Sequence, residues 1–149
     1  MQRCVLAQKN RAVVDTNILV SGIISPKGAP RMILELARKE SFAVVSSLSI
    51  NQEILSVLHR EHIYTKYNLT EEIIDDISIF LFEGTILTED RYELLKVKKD
   101  PKDDKFLACA LEGEADYVVS GDNHLLRLKH YRDIQIIDAR DFLKIVGKK

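Results

Sequence analysis

Two short apolar runs each lead into an acid. AVV at residues 12–14 meets Asp15, and YVV at 117–119 leads through Ser120 and Gly121 to Asp122. Val-rich stretches without polar alternation read as strands buried on both faces, the signature of a parallel sheet. FAVVSS supplies a second strand, TIL at 85–87 a short one, and IQII the last. Between them lie segments with helical spacing. Asn17 to Ile24 is a short helix, and Arg31 to Lys39 follows the SPKGAP loop. Ser49 with Gln52 forms a capping box before Ile54, Leu55, Val57 and Leu58. Thr70 opens a helix running to about Phe82, and the region of Asp103 caps one through Leu111 that stops at Gly113. Asn123 to Leu128 and Ala139 to Val146 are the remaining helices. Strands alternating with helices argue an α/β class: a parallel sheet with helices on both faces, hence three layers, α/β/α. Ligands of such sheets bind beyond the carboxyl ends of the strands, where strand order reverses. If the strands ending at Asp15 and Asp122 are neighbours there, both carboxylates face one crevice.

Two further acids fit the same place. Glu53 in NQEIL and Asp104 in DPKDDKFLACAL open helical patterns expected at strand carboxyl ends. Carboxylates held near a core need cations. A set of carboxylates without His or Cys suits a hard, oxygen-loving ion such as Mg²⁺ or Mn²⁺. Such ions, singly or as a pair roughly 3.5–4 Å apart, neutralise phosphodiester charge and activate water. The expected ligands are Asp15, Glu53, Asp104 and Asp122. Each acid alone has a plainer role. Asp15 or Asp122 could be only a helix cap, Glu53 only surface, and Asp103 and Asp104 only favourable charges at a helix start. Thr16 or Ser120 could bond a carboxylate or a scissile phosphate. Asn17 could lock the loop that presents Asp15 or cap the first helix. His59, His62, His124 and His130 are scattered and pair with no Ser or Cys nucleophile, and no glycine-rich phosphate loop is present.

The 149 residues make one domain, 46% hydrophobic and 30% charged, which excludes a disordered chain. A net charge of -1 gives no overall sign of nucleic-acid binding. The charge is uneven, however. Residues 71–93 are strongly acidic, and Lys96, Lys98, Lys99, Lys102 and Lys105 follow. Both runs could be solvated surface. The sharper expectation is that Lys98, Lys99, Lys102 and Lys105 hold a polyanion beside the acids. Cys4 and Cys109 form neither a disulfide framework nor a zinc motif. No apolar run reaches membrane-spanning length, and Gln8, Lys9, Asn10 and Arg11 interrupt any signal-peptide core. The expectation is a soluble, cytoplasmic protein with no membrane association.

At these residues the chain resembles the PIN-domain family, in particular its prokaryotic branch of toxins from toxin–antitoxin systems. VVDTNILVSGIISPKGAP is similar to that branch's opening, SINQEILSVL to the helix bearing the second acid, and DPKDDKFLACALEGEADYVVSGDNHLL to the third and fourth acids with their intervening strand. The resemblance covers residues 11–146, leaving 1–10 as a lead-in. It implies a PIN-like fold whose central parallel sheet has four or five strands, and a metal-dependent ribonuclease. The acids carry over to Asp15, Glu53, Asp104 and Asp122, with Asn17 and Ser120 in support. A homodimer and an antitoxin partner are implied as well. Two departures stand out: His124 occupies a position where many relatives carry a further acid, and the lead-in MQRCVLAQKN is atypical. The leading expectation is thus an Mg²⁺/Mn²⁺-dependent endoribonuclease acting on RNA. A metal-dependent phosphatase or phosphotransferase with Asp15 as acceptor, and a non-catalytic PIN-like scaffold that binds RNA or protein, are the alternatives.

Overall fold

A computed structural model describes residues 10–91 and 104–147. Its first strand, β1 (Arg11–Val14), is buried from Ala12 to Val14 and gives way to α1 (Thr16–Ile24), capped by Asp15. Gly28, at φ 107°, turns the chain into α2 (Ala29–Arg38), whose second residue is Pro30. A proline there loses no helix hydrogen bond. β2 (Ala43–Ser47) ends on Ser47, whose hydroxyl accepts from the Ile50 amide and so starts α3 (Leu48–Leu58). The cap is therefore Ser47 and not Ser49. The serine that ends the buried strand takes the cap, while the Ser49 amide and hydroxyl both donate to Asp90.

A one-and-a-half-turn helix, α4 (Glu61–Lys66), follows; it buries no residue and was not foreseen. Thr70 caps α5 (Glu71–Glu83) as expected, and β3 (Ile86–Thr88) lies one residue later than TIL. Next among the described residues come α6 (Asp104–Glu112), β4 (Tyr117–Val119) and α7 (Asn123–Leu128), capped by Asp122. A two-residue strand, β5 (His130–Tyr131), then turns back into β6 (Ile134–Ile137), and α8 (Ala139–Val146) closes the described chain.

Among the described residues the sheet has six strands, in the order β3-β2-β1-β4-β6-β5. All neighbours are parallel except β5 against β6. The expected five parallel strands are present, and the addition is β5, an antiparallel edge made by a hairpin too short to read from sequence. β1 and β4 sit at the middle, with Val14 level with Val119, so the residues that follow them, Asp15 and Ser120, emerge side by side. From β1 the chain builds outward through β2 and β3; from β4 it builds the other way. The switch point is the β1–β4 seam.

Helix α6 packs across β1, β2 and β4, while α2 packs against both α1 and α8. The run Ala108-Cys109-Ala110 lets α6 approach the sheet closely, and all three are buried. Gly113, just past α6, permits the same approach: a Cβ there would stand 2.3 Å from Val45 Cγ1. Also at the amino end of the strands, Phe142 of α8 meets Phe42 and Tyr117 edge-on, at centroid distances of 4.8 and 5.6 Å, a geometry that adds to their hydrophobic burial.

Candidate active site

The carboxyl end of the β1–β4 seam carries the acids. Asp15 is 5% exposed. Its Oδ1 accepts from the Ile18 amide at 2.9 Å, which caps α1. Its Oδ2 accepts from the Ser120 hydroxyl at 2.6 Å and the Gly121 amide at 3.3 Å. Ser120 in turn accepts from the Asp122 amide at 3.0 Å. One serine thus links the two acids across the switch point. The Asp122 carboxylate faces its own helix, accepting from the His124 amide at 2.6 Å and the Leu125 amide at 3.4 Å.

Burial raises the Asp15 pKa above its ordinary value. The hydrogen bonds from Ser120, Ile18 and Gly121 oppose this, and the negative charge of Asp122 adds to it. Desolvation wins because three donors do not replace the hydration of a full charge. No cationic side chain among the described residues is paired with Asp15.

Glu53 enters from α3. It is the sixth residue of that helix, not its opening as expected from sequence, because the cap lies earlier at Ser47. Its Oε1 accepts from the Thr16 hydroxyl at 2.5 Å and lies 2.7 Å from the Lys105 ammonium. Thr16 directly follows Asp15, so the second acid is joined to the first through the cap and first residue of α1. Asn17, the next residue, is exposed in the first turn of α1; the cap role considered for it belongs to Asp15. Asp104 opens α6 in the backbone, but its side chain lies outside the described residues, as do Asp103, Lys98, Lys99 and Lys102. Lys105, expected to grip RNA, pairs with Glu53. Among the described residues no three His, Cys, Asp or Glu side chains form a group that could hold a metal ion; the Asp104 carboxylate is not in that set.

Two features escaped sequence reasoning. The Gly121 amide on Asp15 is a backbone donor, for which the only signal was the SGD spacing after β4. A buried network also supports the site from behind: Ser46 donates to Asn51 Oδ1 at 2.7 Å, and Asn51 Nδ2 donates to the Leu81 carbonyl at 3.0 Å. Asn51 is fully buried, and it pins α3 to β2 and α5 two residues before Glu53. A buried amide satisfied on both sides fixes helix position more sharply than apolar packing alone.

Comparison with known proteins agrees with this architecture. A family model described as "PIN domain" matches residues 11–124. The chain is also 29% identical over 141 residues to a protein of Methanocaldococcus jannaschii described as uncharacterized protein MJ1680, covering 92% of this chain and 81% of the relative. No described helix is long and apolar enough to cross a membrane. The chain belongs to the PIN-domain family, whose members are typically nucleases that use divalent metals such as Mg²⁺ or Mn²⁺.

Proposed function

We propose that this protein is an Mg²⁺- or Mn²⁺-dependent endoribonuclease that hydrolyses RNA phosphodiesters at the carboxyl end of the β1–β4 seam. The observation that carries the reading is the Asp15 carboxylate, buried and desolvated beside Asp122, with no described cation paired to it. A buried acid in that state is costly, and a hard cation offsets the cost. The donor chemistry fits: Asp15, Asp122 and Glu53 offer only oxygen, and no His or Cys competes for a softer metal. Asp15, Glu53, Asp104 and Asp122 would hold the ion. When bound, it supplies Lewis acidity toward the phosphodiester and toward the attacking water.

The chain's own residues do the positioning. Ser120 and the Gly121 amide fix Asp15 Oδ2, the Ile18 amide fixes Oδ1, and Thr16 fixes Glu53. Each carboxylate is thereby oriented before substrate arrives, which lowers the reorganisation needed at the reaction. The phosphatase alternative wants a lysine beside the acceptor Asp15. The lysine described in the crevice, Lys105, is on Glu53 instead.

The finer reading is a toxin acting on cellular RNA and restrained by an antitoxin protein, with the active form a homodimer. The resemblance of VVDTNILVSG and DDKFLACAL to toxin sequences supports it. The decisive assay incubates the purified protein with RNA and with a small phosphoester, with and without EDTA. Metal-dependent RNA cleavage is expected, with the phosphoester untouched. RNA left intact in Mn²⁺ would refute the nuclease; phosphoester turnover would favour the phosphatase. Growth arrest on expression, relieved by the product of an adjacent gene, tests the toxin role.

A further inference from the structure

Glu53 Oε1 is approached from two sides, by the Thr16 hydroxyl of α1 and the Lys105 ammonium of α6. The ion pair is neither a surface contact nor a sealed one, since its side chains are 27% and 34% exposed. Lys105 therefore places a positive charge inside the crevice, on one of the carboxylates that a divalent cation would need, and immediately after Asp104 in the chain. Two cations held on one carboxylate repel each other strongly at such separations, whichever of its oxygens each one takes.

We propose that Lys105 is a built-in counter-ion: it holds Glu53 in the metal-free protein, and a divalent cation must displace it from Glu53 in order to bind. This rests on the nuclease reading above and adds a regulator of metal occupancy to it. Lys105 is here a positioning residue. In the metal-free state it links α6 to α3 and offsets the repulsion among acids brought together by the fold. In return it sets a threshold of metal concentration below which Glu53 stays engaged. Thr16 keeps Glu53 in place during the exchange, because a hydroxyl can remain on a carboxylate that has changed its cation.

The test counts free Mn²⁺ by its electron paramagnetic resonance signal during titration of metal-free protein at fixed pH. Lys105→Met removes the charge and keeps most of the side chain's length. Lys105→Arg keeps a cation that pairs well with carboxylates. Lys144→Met removes an equal charge on α8, where Lys144 is exposed and pairs with Asp141. Lys105→Met is expected to bind Mn²⁺ about two- to fivefold more tightly than the parent, the range of a partly exposed ion pair. Lys105→Arg should show no gain, and Lys144→Met should match the parent. Unchanged or weaker binding by Lys105→Met overturns the inference. So does an equal gain in Lys144→Met, which would assign the effect to overall charge, or a gain in Lys105→Arg. If Lys105→Met does not fold, Lys105→Gln is read by the same criteria. Absence of Mn²⁺ uptake by the parent would remove the nuclease reading together with this one. A parent that binds Mn²⁺ and cleaves RNA, alongside a Lys105→Met variant of unchanged affinity, would remove this inference alone.

Discussion

Asp15 performs two tasks with two oxygens. Oδ1 caps α1, and Oδ2 joins β1 to the loop after β4. The plain reading of the residue as a helix cap and the functional reading as a ligand are therefore both compatible with its geometry. Asp15→Asn keeps an oxygen for the Ile18 amide and removes the desolvated charge beside Asp122. Its expected outcome is loss of metal-dependent RNA cleavage, with a metal-free melting temperature equal to or above that of the parent; parent-like cleavage would strip Asp15 of its role. The pH dependence has a definite sign. Because folding raises the Asp15 pKa, its ionisation costs stability, and this cost is absent below the unfolded value near 3.8 and complete above the folded value. Metal needs the ionised form, so Mn²⁺ affinity should fall as pH drops through the raised pKa, and should fall less in Asp15→Asn. Cys109 is the opposite kind of residue. Burial pushes its thiol up to about 12, so it is an inert piece of core against Thr88. The sequence already suggested that role, since FLACAL is an apolar helical pattern. By contrast, the Glu53–Lys105 pair was not legible there. Its partners belong to different helices, and only the packing of α3 and α6 decides that they meet.

Elements were legible where local chemistry is unambiguous. AVV, AVVSS, YVV and IQII are too rich in β-branched residues to be read otherwise, and Thr70 stands alone before its helix. The start of α3 was not, because the serines at 46, 47 and 49 are locally equivalent as caps. Where the buried strand ends is a tertiary fact, and it decides the matter. α4 was missed because it buries nothing, and β5 because two residues carry no periodicity. One element contact offers a sharp test of packing. Gly113→Ala would set a methyl 2.3 Å from Val45 Cγ1 and 3.2 Å from Thr88 Cγ2. Val45 is 1% exposed and has no room to retreat, so the substitution should cost about 1–3 kcal/mol in chemical denaturation. A neutral result would mean that α6 shifts freely on the sheet. At the end of α3, His59 Nδ1–H donates to the Leu55 carbonyl at 2.9 Å, and Nε2 lies 3.2 Å from Glu71 of α5. Its pKa is raised, first by the Leu55 carbonyl and then by Glu71. The bridge is thus present below the ordinary histidine value of 6.5 and is lost as pH rises through the raised one. An NMR titration should place the His59 midpoint above 6.5, and Glu71→Gln should bring it down. A midpoint unmoved by that substitution would detach α3 from α5 at this point.

For the whole molecule, the strand order was legible only as a condition: the strands bearing Asp15 and Asp122 had to be neighbours across the reversal, and they are. What lay beyond sequence was that Ser120, not Asp122, stands level with Asp15 and joins the two. A cation that binds only the folded arrangement stabilises the entire fold by mass action. Millimolar Mn²⁺ should therefore raise the melting temperature at neutral pH, less so in Asp122→Asn; an unmoved melting curve with unmoved activity would dismiss the hard-metal site. The same seam bears on how the protein is made. The Ser120–Asp15 bond spans 105 positions of sequence, and β1 has β2 on one side but waits for β4 on the other. A chain leaving the ribosome has therefore exposed its first acid, and three of the six described strands, long before the residues that orient that acid exist. On the proposed nuclease reading, the arrangement that orients Asp15 closes only after residue 122 has emerged, so activity is the last property the growing chain acquires.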